Sequence, residues 1–362
     1  AHFGPDRHEG SEPLNLGFDI NVGGFSAGQP GSYYAEKNYA RGGKSGQVPH
    51  LEKYHGTNTF LTEALTLEAN RHIEACVKEQ KPFFLHMSHY ALHAPFESDP
   101  RFAKNYAQSG ANKNAQAYAT LVEGMDKSLG DLLDKLNELK VADNTLIIFL
   151  GDNGSDAPLG KGEHNSSAPY RQKKGWRYEG GMLVPFIAAW GKADENNASQ
   201  QKLPIPAGAI QTQMGTILDL LPTICNLTDV ETPKDMPLDG YDLKSQFAGN
   251  KNETRKEDFL NHFPHEHRSS YFTSYVDDGW KVIYHYPLPA RGKKAQGKEL
   301  SPNYELFNLK ADPFEQKDLA KSNPGKLKEI MTALIEDLEA KKALYPQKGE
   351  KELRPEIPDV AK

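Results

Sequence analysis

Two oxygen-bearing side chains directly follow an apolar run in the middle of the chain. Residues 145–150 read Thr-Leu-Ile-Ile-Phe-Leu, and residues 151–154 read Gly-Asp-Asn-Gly. An apolar run without alternation predicts a strand buried on both faces of a parallel sheet. Ligands of such sheets bind just beyond the carboxyl ends of the strands, where Asp152 and Asn153 lie. Carboxylate and amide oxygens favour Ca²⁺ or Mg²⁺ over a softer metal, although the same residues are also typical of a plain turn.

Histidine and lysine side chains occupy comparable positions elsewhere. His93 follows a second predicted strand, residues 83–88, and Lys174 lies in a long basic loop, residues 155–179. His2 stands near the first residue. A metal ion with a Lys and a His beside it suits a tetrahedral oxyanion such as phosphate or sulfate. The cations would offset charge on the equatorial oxygens, and a histidine would protonate the leaving oxygen.

Hydrophobic periodicity predicts the elements that must position these side chains. The predicted helices are 57–76, 113–139 and 211–228, and the predicted strands are 16–20, 83–88, 145–150 and 182–188. Because helices and strands alternate, we expect an α/β domain with a largely parallel central sheet, and we place it at residues 1–250.

The pattern changes beyond a polar stretch near residues 245–257. Short runs separated by turn residues predict antiparallel strands, and an amphipathic helix follows them. The runs are 271–276, 280–286 and 304–309, and the helix is 325–344. Residues 251–362 are therefore expected to form a smaller α+β domain with an antiparallel sheet.

Length and composition limit the class of protein. A chain of 362 residues buries a sizeable core, and its composition is that of an ordinary globular protein. The net charge of −6 gives no sign of a nucleic-acid partner or a membrane surface, so an anionic substrate needs a local cluster of bases. Its two cysteines, Cys76 and Cys225, argue against a disulfide framework or a Cys-based metal site. No apolar run is long enough to cross a bilayer.

Motifs along almost the whole chain resemble those of one enzyme family. Residues 174–185 are similar to the sulfatase pattern G-K-x-x-x-Y-E-G-G-x-R-V-P, with Lys173 and Leu183 replacing its first Gly and its Arg. Residues 151–154 resemble the G-D-N-G metal motif, and residues 93–95 resemble the H-x-P motif. Further similar stretches, in family order, are 2–4, 17–19, 122–126, 218–223, 304–309 and 312–315. On these motifs the chain is identified as a member of the type I, formylglycine-dependent sulfatases of the alkaline-phosphatase superfamily.

The resemblance implies an alkaline-phosphatase-like sandwich and a role for each matching residue. Asp152 and Asn153 would supply part of the coordination of a Ca²⁺, in preference to Mg²⁺. Lys174 would bind a sulfate oxygen, and His93 would protonate the leaving alcohol. His2 would contact the nucleophile, which in the family is a formylglycine made from Cys or Ser in a C/S-x-P-x-R motif.

We expect the nucleophile to be missing from these 362 residues. In the family it lies upstream of the part of the pattern where this chain starts, as do the other metal carboxylates. Residues 167–171 match the motif as a string, but they directly precede Lys174 and lack the L-T-G element found after the modified site. We therefore expect weakened Ca²⁺ binding and absent or very slow turnover from this chain alone.

A second polar cluster lies in the carboxyl-terminal part. Residues 261–268 include His262, His265 and Arg268. Similar His-rich stretches help to bind substrate in polysaccharide sulfatases, so the resemblance implies that these residues contact a sugar. Two other interpretations stay open: a zinc site, although the spacing matches no standard one, and a surface histidine cluster.

Three functions are compatible with these features. The first is a sulfuric ester hydrolase acting on a sulfated carbohydrate. The second is a phosphonate or phosphodiester hydrolase of the same superfamily, against which Lys174 in its motif favours sulfate. The third is a non-catalytic, sulfatase-like carbohydrate-binding protein, which the missing nucleophile motivates. We expect a sulfated small molecule or oligosaccharide as partner and a periplasmic or secreted location, with no prediction of oligomeric state.

Overall fold

The structure is a computed structural model and describes residues 8–158, 166–232, 234–265, 271–289 and 303–358. It divides into two units that interleave along the chain. Unit 1 is residues 1–147, 156–164 and 190–200, and unit 2 is residues 148–155, 165–189 and 201–362. The domain boundary that the sequence places at residue 250 falls within unit 2, and that boundary stays a prediction. In the described ranges, no helix combines the length and apolar character that crossing a membrane requires.

Helices and strands alternate in the first part of the chain, and strands dominate the last part. The helices are α1 (Leu61–Lys78), α2 (Ala103–Tyr106), α3 (Lys113–Glu138), α4 (Glu179–Met182), α5 (Ala198–Lys202), α6 (Leu220–Leu227), α7 (Lys244–Phe247) and α8 (Pro324–Ala340). The strands are β1 (Leu146–Leu150), β2 (Phe186–Trp190), β3 (Asp258–Phe263), β4 (Phe272–Asp277), β5 (Trp280–His285), β6 (Asn303–Asn308), β7 (Gln347–Lys348) and β8 (Lys351–Glu352).

Helices α1 and α3 pack together in unit 1. Ala69 and Ile73 of α1 meet Leu132 and Leu136 of α3 in a shared apolar cluster, as the helical spacing of these residues requires. Both helices were predicted from periodicity and both are confirmed. Helix α1 begins four residues later than predicted, with Phe60 at the N-cap position.

Three sequence predictions of local structure are wrong in part or in full. Residues 13–16 form a 3₁₀ turn that Gly17 ends with φ +90°, so no strand forms at 16–20. Residues 83–88 pair with no strand in the described part of the chain, and Phe84 is 64 % exposed. A strand needs a ladder partner, which periodicity does not report. The helix predicted at 211–228 is shorter, because the helical segment begins only with a 3₁₀ turn at Ile217–Asp219 before α6.

Strands β1 and β2 pair with each other. The Gly151 N–H donates to Pro185 O (3.0 Å), and the Gly191 N–H donates to Thr145 O (2.9 Å), which is the pattern of antiparallel neighbours. Strand β1 is half-buried throughout and β2 alternates between half-buried and exposed residues, so the predicted burial on both faces is wrong. The parallel neighbours predicted for β1 do not lie among the residues that the structure describes.

Unit 2 contains a four-stranded antiparallel sheet in the order β3-β4-β5-β6. Its last three strands confirm the prediction, whereas β3 was not predicted. Strand residues alternate between faces. Val282 and Tyr284 of β5 pack with Leu334 of α8 on one face, and Ile283 packs with Tyr178 on the other. The sheet is therefore enclosed by α8 on one side and by the end of the basic loop on the other.

A buried hydrogen-bond chain in unit 1 ends at His89. The Thr66 hydroxyl donates to Thr62 O (2.7 Å) and lies 2.6 Å from Ser128 Oγ, which in turn lies 3.2 Å from His89 Nε2. Since Thr66 uses its proton on Thr62, Ser128 donates to Thr66 and accepts from His89 Nε2. His89 Nδ1 is then buried without a partner among the described residues. Burial lowers the pKa of His89 to about 4.

We expect His89 to make unit 1 less stable at low pH. The unfolded state binds the histidine proton near the ordinary pKa of 6.5 and the folded state only near 4, so stability falls as the pH drops through this interval. Between about pH 7.5 and about pH 5 the loss should be about 2 kcal/mol. Urea unfolding across this range should show a smaller pH dependence in His89→Gln. The exposed His50→Gln is the control, and an equal flattening there would contradict the assignment.

Candidate functional site

The Asp152–Asn153 turn presents oxygen atoms that the protein does not use. Asp152 is exposed, and its carboxylate makes no hydrogen bond or ion pair within the described residues. Asn153 is half-buried and donates from Nδ2 to Gly154 O at 3.0 Å, which leaves its Oδ1 available. Hard oxygen donors of this kind fit Ca²⁺. They form an incomplete site, because the described ranges contain no group of three or more His, Cys, Asp or Glu suited to a metal ion.

Three glycines join this turn to the basic loop. The Gly154 N–H donates to Gly181 O at 3.0 Å. A Cβ atom on Gly154 would lie 2.0 Å from Gly180 O, and one on Gly181 would lie 2.3 Å from Trp176 O. Both distances are far below contact distance, so only glycine permits this approach of backbone to backbone. We call Gly154, Gly180 and Gly181 the glycine cluster.

Lys174 lies in the same part of unit 2. Its backbone N–H donates to Ser155 O (3.1 Å), immediately after the Asp152–Asn153 turn. Gly175 follows with φ +82°, a left-handed backbone conformation that glycine adopts readily, and the chain turns there. Lys174 is half-buried, and its ammonium group has no partner among the described residues. The structure therefore brings the predicted metal turn and the predicted anion-binding lysine into direct backbone contact, with the polar ends of both unused.

His93 lies in unit 1, in a loop that tyrosine and glutamate side chains hold in place. The Tyr33 hydroxyl lies 2.8 Å from His93 O and 2.7 Å from Tyr90 O. Glu97 accepts from the Tyr33 N–H and from the Ser32 hydroxyl, each at 2.6 Å. His93 Nδ1 lies 2.9 Å from Ala94 O. Because a carbonyl only accepts, Nδ1 carries the proton, and Nε2 has no partner among the described residues.

The predicted sugar-binding residues differ in their surroundings. Both ring nitrogens of His262 are engaged, Nδ1 with Thr273 Oγ1 at 2.7 Å and Nε2 with Leu344 O at 2.6 Å. A sugar contact through this ring would have to replace one of these bonds. His265 is exposed and lies over the Phe263 ring, with 3.9 Å between ring centroids. Arg268 and His2 lie outside the described residues.

Sequence reasoning missed a buried charge network beside the glycine cluster. Lys281 of β5 is fully buried, and its ammonium lies 2.8 Å from both Glu179 Oε1 and Glu315 Oε1. The Glu179 N–H donates to Glu315 Oε2 at 2.6 Å. The available signal was a lysine at a position where strand alternation predicts an inward-facing residue. We call Lys281, Glu179 and Glu315 the charge network.

Tyr178 makes a second link to the same sheet. Its hydroxyl donates to Glu305 of β6 (2.8 Å), and Glu305 also lies 2.7 Å from His285 Nε2. Burial raises the pKa of Tyr178 to about 12, so the phenol stays protonated and donates. Burial alone would raise the pKa of Glu305, but the bonds from His285 and Tyr178 outweigh it and lower that pKa. Glu305 is therefore an ionised acceptor at neutral pH.

Comparison with known proteins agrees with the motifs. A sequence model of the Sulfatase family matches residues 2–230, more than half of the chain. The N-acetylgalactosamine-6-sulfatase of Canis lupus familiaris is 31 % identical over 52 % of this chain and 33 % of that protein. The steryl-sulfatase of Homo sapiens is 32 % identical over 56 % of this chain and 32 % of that protein. The chain thus spans about a third of the length of these curated relatives.

A solved structure extends the likeness over most of the chain. The crystal structure named Ps i-CgsB has a TM-score of 0.70 and 25 % identity, and the match covers 91 % of this chain and 68 % of that one. The α/β fold with a carboxyl-terminal antiparallel sheet agrees with the alkaline-phosphatase-like architecture expected from the sequence. The family match and the fold agree: this chain belongs to the sulfatase family, the type I sulfatases of the alkaline-phosphatase superfamily.

Proposed function

We propose that the chain is part of a sulfuric ester hydrolase that acts on a sulfated carbohydrate. The observation that carries this proposal is the contact between the Asp152–Asn153 turn and the loop of Lys174, both with polar ends unused by the protein. A cation and a lysine on adjacent backbone segments are suited to hold the negatively charged oxygens of a tetrahedral sulfate ester. The match to the Sulfatase family supports this reaction class.

Each residue has a distinct task in this proposal. The Lys174 ammonium offsets charge on a sulfate oxygen. His93, whose Nδ1 proton is held by Ala94 O, delivers a proton from Nε2 to the leaving alcohol when the ring is charged. Asp152 and Asn153 would supply part of the coordination of a Ca²⁺, which would offset negative charge on the sulfate when bound. His2, which lies outside the described residues, would contact a formylglycine nucleophile if one is present in the whole protein.

The expected absence of the nucleophile limits the catalytic activity of these 362 residues by themselves. The one string that fits C/S-x-P-x-R, residues 167–171, leads directly into the loop of Lys174 and is not used as a nucleophile in this proposal. We therefore expect the chain to bind sulfated ligands and to turn them over very slowly or not at all. Sulfate release by the chain at an ordinary enzymatic rate would contradict this part of the proposal.

A sulfated oligosaccharide is the substrate class we infer. The relatives include N-acetylgalactosamine-6-sulfatases, and one similar structure, with a TM-score of 0.68, is a complex with k-i-k-neocarrahexaose. His265, exposed above the Phe263 ring, offers a flat surface for a sugar, with His262 and Arg268 beside it in sequence. We also propose a periplasmic or secreted location, since sulfatases of this kind are typically exported.

Replacing Lys174 with alanine should weaken binding of k-i-k-neocarrahexaose about 10- to 100-fold, because one charge-assisted hydrogen bond to a sulfate oxygen is lost. Isothermal titration calorimetry with Ca²⁺ present would measure the affinity. The matched control is Lys234→Ala, whose side chain is 86 % exposed in a surface ion pair. Equal affinity of Lys174→Ala and wild type would remove Lys174 from the site.

The same titration separates the competing functions. Competition by inorganic sulfate but not by inorganic phosphate would support the sulfatase, whereas the reverse preference would support a phosphonate or phosphodiester hydrolase. Tight binding of the oligosaccharide by a protein that includes the complete family nucleophile motif, without sulfate release, would support a non-catalytic binding protein. Chelation of Ca²⁺ should weaken binding in wild type and leave Asp152→Asn less affected.

A further inference from the structure

Residues 171–179, the part of the basic loop that carries Lys174, are bonded at their beginning and at their end to strand β6 or to the segment that follows it. At the beginning, Arg171 Nη1 donates to Glu315 O (3.1 Å). At the end, Tyr178 donates to Glu305, and the Glu179 N–H donates to Glu315 Oε2. Lys174 lies between the two attachments, three residues after the first and four before the second.

The two attachments also contact each other. The Arg171 guanidinium lies over the Tyr178 ring, 3.8 Å from its centroid, and Arg171 O accepts from the Gly180 N–H (2.9 Å). The loop is therefore closed at its base, and both sides of that base are bonded to Glu305 and Glu315. Closing a loop at a rigid base reduces the number of conformations open to the residues between its ends.

The charge network makes displacement of this base energetically unfavourable. Lys281 and Glu315 have fully buried side chains, and Glu179 is 16 % exposed at its side chain. Moving Glu179 away would leave a buried ammonium and a buried carboxylate with one partner fewer, which low-dielectric surroundings penalise. Glu305 is likewise 13 % exposed at its side chain and shared between Tyr178 and His285.

We propose that Glu305, Glu315 and Lys281 are positioning residues that fix the loop carrying Lys174 through their bonds to Tyr178 and Glu179. None of the three contacts the sulfate in this assignment; they act through the backbone of the loop and the glycine cluster. Glu305 and Glu315 lie in the stretches 304–309 and 312–315, which resemble family motifs and to which the sequence alone assigned no role. The positioning role rests on the proposed function only for the identity of the ligand that Lys174 binds.

The test combines amide hydrogen exchange with ligand binding in Tyr178→Phe and Glu305→Ala. Tyr178→Phe keeps the ring packing and removes only the hydroxyl donor, so it should fold even if Glu305→Ala does not. We expect the Gly180 and Gly181 amides to exchange about tenfold faster or more in either variant. The affinity for k-i-k-neocarrahexaose should fall about 3- to 10-fold in either variant. Glu305→Gln, which still accepts from Tyr178, should restore most of the slow amide exchange and most of the affinity.

Glu329→Ala is the matched control, since Glu329 lies exposed on α8 in a surface pair with Lys326; it should change neither readout. Unchanged exchange at Gly180 and Gly181 in both variants would overturn the proposal. So would an equal rise in exchange throughout β4 and β5, because that result indicates a general loss of stability. Failure of Lys174→Ala to weaken binding would instead count against the proposed function, and the exchange data would still decide the positioning role.

Discussion

Replacing Lys281 with alanine should lower the free energy of unfolding by about 3–5 kcal/mol, the usual effect of removing one partner from a buried ion pair. The lysine lies 2.8 Å from both Glu179 Oε1 and Glu315 Oε1 and is fully buried. Its removal leaves two carboxylates close together without a counter-charge. Urea unfolding followed by circular dichroism would give both the free energy and its denaturant dependence.

The pH dependence of the stability lost in Lys281→Ala distinguishes the effect of the lost charge from the effect of lost packing. Burial raises the pKa of Glu315 above its ordinary value of 4.5, so the folded state holds the carboxyl proton more tightly than the unfolded state does. Without Lys281 the folded state should hold the Glu315 proton more tightly still. The stability lost in Lys281→Ala should therefore shrink as the pH falls from neutrality toward 4.5. A deficit independent of pH would indicate packing alone.

Two further variants complete the comparison. Lys310→Ala removes a lysine that is 64 % exposed in a surface pair with Asp278, and it should cost less than about 1 kcal/mol. The double variant Lys281→Met, Glu315→Gln replaces the buried charges by neutral groups of similar size. It should recover much of the stability lost in Lys281→Ala, since no unpaired charge remains on Glu315.

Local patterns were sufficient to predict elements whose stability is largely local. Helix α1 and helix α3 follow from apolar spacing, because each buries one stripe against the other. Strand β3 was missed, because Asp258, Asn261 and His262 favour a loop and the strand forms by pairing with β4. Residues 83–88 show the opposite error, since this apolar run has no partner strand in the described part of the chain.

The candidate site likewise contains residues that the sequence predicted and residues that it did not. Asp152, Lys174 and His93 were predicted because reactive side chains stand out in loops after strands. The charge network was not predicted, because Lys281 lies 102 residues from Glu179, and only the folded sheet brings them together. Sequence motifs therefore located the residues proposed to contact the ligand, whereas the residues that hold them in place required the structure.

Replacing Gly154 with alanine should destabilise unit 2 by about 3 kcal/mol or more, because the new Cβ would lie 2.0 Å from Gly180 O and 2.7 Å from Gly181 Cα. Neither atom belongs to a flexible side chain, so the Asp152–Asn153 turn and the loop of Lys174 must move apart. The hydrogen bond from the Gly154 N–H to Gly181 O should break. Binding of k-i-k-neocarrahexaose should be lost with it.

The same substitution at Gly130 is the control, and it should have the opposite sign. Gly130 lies inside α3, and a Cβ there meets no atom within 4 Å. Alanine should therefore stabilise the helix by about 0.5–1 kcal/mol and leave ligand binding unchanged. Thermal unfolding and calorimetric titration of both variants measure the contrast. If Gly154→Ala binds the oligosaccharide as wild type does, contact between the turn and the loop is not what assembles the site.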